Sequence, residues 1–140
     1  MGFLKRKGRP TPAASTVDEA RYQQWLAAWP EAVEAVLEAC AGIMGQPAET
    51  RRLYDQIAEY VRARDLEGAI SVLAQHPDLL TDQAEAGFKM TLMFAQMTDP
   101  RALPLLRGRL LVLHRARNAG LSTAYQEALE GRLPLDLDLP

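Results

Sequence analysis

The chain of 140 residues predicts an all-α fold in which antiparallel helix hairpins stack against one another. Three observations predict it. Apolar residues recur at steps of three and four through most of the sequence, the spacing of one helix face. No β-branched run alternates with polar residues over the length of a strand. Prolines and glycines such as Pro30, Pro77, Pro100 and Gly120 fall between the periodic segments, where helix ends belong.

Residues 1–14 hold Gly2, Gly8, Pro10 and Pro12 with four bases (Lys5, Arg6, Lys7, Arg9) and no periodicity, the composition of a disordered basic arm. Such an arm is either a solubilising tail or a tether to nucleic acid or an anionic membrane, with Phe3 and Leu4 as a small apolar foot. Four clustered charges attract weakly and in a salt-sensitive way, which favours the plainer reading. A single all-α domain is expected over residues 15–131, and a flexible tail over 132–140.

Thr16 and Glu19 have capping-box spacing and open the first helix, which carries Tyr22, Trp25, Leu26 and Trp29 on one side. Those aromatics either anchor a partner or pack the first helix on the next. Packing is the simpler use, since a buried tryptophan removes about 150–250 Å² from water. Pro30 restarts the helix, with Val33, Val36, Leu37, Cys40 and Ile43 as a core stripe and Glu31, Glu34 and Glu38 as a solvated one. Cys40 in that stripe behaves as a small hydrophobe. Gly42, Gly45 and Gln46-Pro47 end the segment. A helix over residues 48–64 turns Leu53, Tyr54, Ile57, Tyr60 and Val61 inward.

A shorter helix begins near Leu66, buries Leu66, Ala69, Ile70 and Leu73, and is stopped by Pro77. Thr81 caps the next, with Asp82 and Glu85 in its first turn. This helix has two apolar faces: Ala84, Gly87, Phe88, Thr91, Leu92 and Ala95 on one, Met90, Met93 and Met97 on the other. Asp99 followed by Pro100 has the order of an N-cap and a first helical residue, opening an arginine-rich helix over 100–118. Leu103, Leu106, Leu110 and Leu113 form one stripe of it, and Leu105, Val112 and Ala116 a second about 100–150° away. Burying a leucine is worth about 1.5–3 kcal/mol, so such stripes outweigh any cap. Gly120 ends this helix, Ser122 can cap a short last one with Tyr125 and Leu129 on its apolar side, and Gly131 stops it. The ending LPLDLDLP reads as a frayed tail rather than a strand added to a partner's sheet.

Apolar residues make up 48% and charged residues 24%, ordinary for a globular protein. Net charge is −2, but with four bases in residues 1–12 the remainder carries 12 bases against 18 acids, or −6. So acidic a body is poor material for a general nucleic-acid binder. One cysteine excludes an internal disulfide and a cysteine-cluster zinc site. No secretory apolar region and no run of about 18 apolar residues is present, so a cytoplasmic protein without a membrane span is expected.

Nothing here points to catalysis. His76 and His114 have no second histidine or carboxylate at metal-ligand spacing, and both lie far from Cys40 in sequence. The glycines match neither phosphate-binding pattern. A non-enzyme without cofactor or metal is expected, leaving two surfaces as partner-binding candidates. One is Met90, Met93 and Met97, an adaptable stripe suited to apolar peptides, with core packing as its alternative use. The other is the acid-free run of residues 100–126, which holds Arg101, Arg107, Arg109, Arg115, Arg117 and His114, and of these Arg101, Arg107 and Arg115 fall within roughly 120° on the wheel. An acidic protein segment or RNA could bind there, and salt bridges to the acidic helices of the same molecule are the alternative.

Three helices begin with similar phrases, PEAVEAVL at Pro30, LEGAISVL at Leu66 and PRALPLLR at Pro100, spaced 36 and 34 residues apart. A period near 34 built of helix pairs marks tetratricopeptide-type stacking, in which neighbours cover each other's apolar faces. In the unit around Leu66, Ala69 and Leu73 fit that family's small-then-large pair, Tyr60 its first-helix aromatic, and Leu53 stands at its tryptophan. Ile57 and Gln56 replace its glycine and leucine, and Pro77 comes early; in the next unit Ala102 and Leu106 match, with Met93 and Met90 at the aromatic and glycine positions. The chain thus resembles a degenerate tetratricopeptide-repeat protein, which implies a short solenoid; an irregular bundle of five to seven helices is the alternative. HPDLLT, the long helix after it, DPRAL and LHRARNAGLSTAY, within residues 66–128, also resemble the helical segments beside caspase-like (CHAT) peptidase domains in bacterial multidomain proteins. That resemblance implies a free-standing bacterial helical adaptor and transfers no catalysis. The expected function is a protein–protein interaction module (adaptor or scaffold). The alternative is an accessory binding nucleic acid or an anionic surface through the basic arm and the arginine helix.

Overall fold

Short polar side chains start the helices by accepting from backbone N–H groups that a first turn leaves unpaired. Thr81 accepts from the Ala84 N–H at 3.2 Å, and Asp65 from the Gly68 N–H at 2.8 Å. The computed structural model describes residues 19–44 and 48–133. Its helices are α1 (Glu19–Ala28), α2 (Pro30–Met44), α3 (Ala48–Val61), α4 (Leu66–Gln75), α5 (Asp82–Thr98), α6 (Leu103–Ala119) and α7 (Leu121–Leu129). Among the described residues there is no strand, as the missing alternation predicts. The expectations for the basic arm, Thr16, the stop at Gly45 to Pro47 and the tail from 134 onward lie outside the described residues, as do the side chains of Trp25 and Leu26.

Several boundaries differ from expectation, each for a local reason. Asp99 and Pro100 open a 3-10 turn, Pro100–Ala102, and the α-helix proper begins at Leu103. A second such turn, Pro77–Leu79, occupies the proline break after α4. α3 stops at Val61 rather than 64, because α1 takes up carbonyls there: the Tyr22 hydroxyl donates to Val61 O at 3.0 Å and Gln23 Nε2 to Arg64 O at 2.6 Å. Gly120 (φ +98) both ends α6 and precedes α7, so Ser122 sits inside α7 instead of capping it. α7 buries Ala124 and Ala128, whereas Tyr125 is half-buried and Leu129 exposed. Ile43 is 66% exposed at the last turn of α2, not part of its core stripe. Leu133, assigned to the tail, is fully buried.

α6 is the central element. It packs against α1, α5 and α7. Leu105, Leu106, Leu110, Leu113 and Ala116 enter the main core with Phe88 and Leu92 of α5, Tyr60 of α3 and Val36 of α2. Leu111 and Val112, round the helix, form a smaller core with Leu66, Ala128 and Leu133. The expected second strip therefore divides: Leu105 and Ala116 join the first stripe in the main core, and only Val112 faces the smaller one, together with Leu111, which belongs to neither expected stripe. α2 packs on α3 and α5, α3 on α4 and α5, and α4 on α7. α2 and α5 run antiparallel: Cys40 Sγ lies 3.6 Å from Thr91 Oγ1, and Arg101, just past α5, covers the ring of Trp29, just before α2. Gly87 lies where α5 meets α3, and a Cβ there would fall 3.4 Å from Ile57 Cδ1, at ordinary contact.

Candidate functional site

The two expected surfaces diverge in the structure. On α5 the face of Ala84, Gly87, Phe88, Thr91, Leu92 and Ala95 is buried throughout. The opposite methionine face is not covered: Met93 is 47% exposed and Met97 75%, with Met90 half-buried at its edge. A thioether left in water gains none of the burial free energy it could have in the core, about 1.5–3 kcal/mol for a whole side chain. Core packing is therefore not the use of Met93 and Met97.

The arginines turn inward or pair. Arg101 forms a bidentate pair with Asp99 (2.8 and 2.6 Å), and its guanidinium sits 4.8 Å from the centre of the half-exposed Trp29 ring. That contact holds the Asp99 carboxyl below its usual range, chiefly through the Arg101 hydrogen bond. Arg115 pairs with Glu127 of α7 at 2.7 and 3.1 Å. Arg107 is half-buried and also engaged. Arg109, counted in the acid-free run, is 2% exposed, with its guanidinium stacked 3.4 Å over the Tyr22 ring. Its backbone carbonyl accepts from the Tyr60 hydroxyl at 2.6 Å. At 100° per residue Arg109 falls between Ala116 and Leu113, on the apolar side of α6 and away from Arg101, Arg107 and Arg115, so the wheel already carried the signal for its burial under α1.

His114 has a partner that spacing along one helix could not reveal. Its Nδ1 bonds to Glu85 of α5, which is 8% exposed, and its Nε2 lies 3.0 Å from Asn118 Nδ2. Arg117 Nη1 donates to the second Glu85 oxygen at 2.8 Å and Nη2 bonds to Asp82. Carboxylate, imidazole and guanidinium thus clamp the start of α5 to the end of α6. Cys40 lies elsewhere, between α2 and α5; its thiol meets Thr91, whose hydroxyl donates to Gly87 O at 3.1 Å. Burial pushes that thiol up, against the smaller opposite pull of Thr91, so it stays protonated and unreactive. His76 Nε2 lies 3.1 Å from Glu59 Oε1 at the end of α4. Among the described residues no group of three or more histidine, cysteine, aspartate or glutamate side chains could hold a metal, and no helix is long and apolar enough to cross a membrane.

Two shallow clefts flank α3. One of about 420 Å³ lies between α2 and α3, floored by Leu37, Ala41 and Ala58 and rimmed by Glu38, Arg51, Asp55 and Arg62. The other, about 300 Å³, lies between α3 and the start of α5, lined by Glu49, Arg52, Leu53, Gln56, Asp78, Thr81 and Gln83. Neither gathers His76, His114 or Cys40.

Over the described residues, fold and surface define an all-helical body in which α5 leaves its methionine face uncovered and ion pairs join one helix to another. No family model, curated protein or solved structure matches this chain.

Proposed function

We propose that this protein is a non-catalytic interaction module, an adaptor or scaffold that binds another protein through the methionine face of α5. The exposure of Met93 and Met97 carries this reading, since exposed methionines remould around apolar partners. Its location is read as cytoplasmic on the sequence argument above. For the architecture we favour the irregular bundle of helices over the tetratricopeptide-like solenoid, because α1 packs against α6 at the far end of the chain, whereas stacked repeats touch only neighbours. Descent from the bacterial CHAT-associated helical segments is compatible with either architecture.

The nucleic-acid or anionic-surface alternative rests on the basic arm alone once Arg101 and Arg115 are paired with Asp99 and Glu127. Crosslinking and mass spectrometry on the native full chain test the main reading. Crosslinks to another protein should concentrate on α5 and disappear in the Met93→Gln, Met97→Gln double variant. Identical partner sets for wild type and variant, or no partner over a range of salt, would overturn it.

A further inference from the structure

We infer that the bound element is an amphipathic α-helix with a basic flank, lying along the solvent edge shared by α2 and α5. This rests on the interaction reading and adds the partner's chemistry. Because α2 and α5 run antiparallel and meet at Cys40 and Thr91, wheel positions decide which residues border their outer seam. At 100° per residue, Ala35 and Ala39 fall on the α5 side of the outer surface of α2, and Met90, Phe94 and Met97 on the α2 side of that of α5. Ala35 and Met97 are exposed and Ala39, Met90 and Phe94 half-buried, so the seam is apolar and open to solvent. Small residues on one bank allow close approach, and flexible thioethers on the other adjust to the shape that approaches. α2 has 15 residues, so at about 1.5 Å per residue the seam matches a partner helix of roughly four turns.

Charge selects the occupant. Along the outer face of α2 lie Glu31 and Glu38, the latter also on the rim of the α2–α3 cleft. The bases that feel their charge, Arg101 and Arg62, are held by Asp99 and Glu34. Glu31 and Glu38 are both exposed, and neither is in an ion pair among the described residues. Glu34, between them, is already held by Arg62 at 2.8 Å. Glu31 and Glu38 are two turns apart, about 10.5 Å, so they face bases spaced by seven on one flank of the partner. A second copy of this chain fits less well, since Lys89 is the one base that α5 carries.

The test uses the full chain and two synthetic helices of about 15 residues with the same leucine stripe, one with lysines on a single flank and one with glutamates there. Isothermal titration should show the lysine peptide binding at least about tenfold more tightly, a 1.4 kcal/mol difference. Met97→Gln and Glu38→Lys should each weaken it by a similar factor. Leu129→Gln, at the exposed Leu129 of α7, should leave it unchanged. Unchanged melting curves for these surface variants exclude a folding effect. Equal affinities for both peptides, or losses in Leu129→Gln matching those in Met97→Gln, overturn the inference, as does a mass in light scattering that doubles in wild type and halves in Met97→Gln. If neither peptide binds while methionine-dependent crosslinks persist, the inference falls and the interaction reading stands; if those crosslinks are absent too, both fall.

Discussion

Buried hydroxyls in this protein are tied to helix carbonyls, and their removal isolates single bonds. The Tyr60 hydroxyl reaches Arg109 O at 2.6 Å from a fully buried ring. Tyr60→Phe keeps the packing against Phe88 and should lower stability by about 1 kcal/mol in a urea titration. Cys40 should resist maleimide in the folded protein and react once unfolded, because its pKa is raised by burial. Besides Asp99, two carboxylates carry a pH signature. Glu127 and Glu34 titrate below the ordinary 4.5, chiefly through hydrogen bonds from Arg115 and Arg62. A lowered folded pKa means the unfolded chain binds more protons, so the stabilisation is present above pH 4.5 and lost as pH falls through the lowered folded values. Denaturation of Glu127→Gln should therefore differ from wild type at neutral pH and coincide with it in acid. Glu34→Gln should differ less, since its pair is half in water.

At the scale of single helices, glycines report how closely elements approach. A methyl group at Gly87 would meet Ile57, Leu53 and Tyr54 at 3.4–3.6 Å, ordinary contact. Gly87→Ala should thus be tolerated and stabilise by up to about 1 kcal/mol through helix propensity. Gly87→Leu should destabilise by about 1–3 kcal/mol by forcing α5 from α3. Gly120 is the opposite case: its φ of +98 strains any side chain, so Gly120→Ala should cost about 1–3 kcal/mol although space there is open. Thermal denaturation separates the two signs. Helix positions and most buried stripes were legible because apolar spacing of three and four is a local property. The Thr81 cap was legible too, while the Asp65 cap was missed although aspartate before a periodic run is its usual signal. Ile43 and Leu129 could not be placed, because each sits near a helix end where burial depends on a neighbour's length rather than on its own phase.

For the molecule as a whole, closure comes from α1. Tyr22 joins α1 to Val61 through its hydroxyl and to Arg109 through its ring. Tyr22→Ala should lower stability by about 3–5 kcal/mol, the cost of emptying a buried aromatic site, and a urea titration of the full chain checks it. Deleting residues 1–12 should leave that stability unchanged, and should abolish any salt-sensitive retention on RNA, DNA or anionic vesicles if the arm has that role. By itself the sequence determined the all-helical class, the helix order and which stripe of each helix is apolar, since these follow from residue spacing and capping within a few turns. Tertiary structure alone decided that α6 has both apolar faces covered while α5 keeps its methionines in water. It also decided that Glu85 meets His114 across 29 residues. The physical reason is that periodicity records what a helix offers to a neighbour, and only the path of the chain determines whether a neighbour arrives.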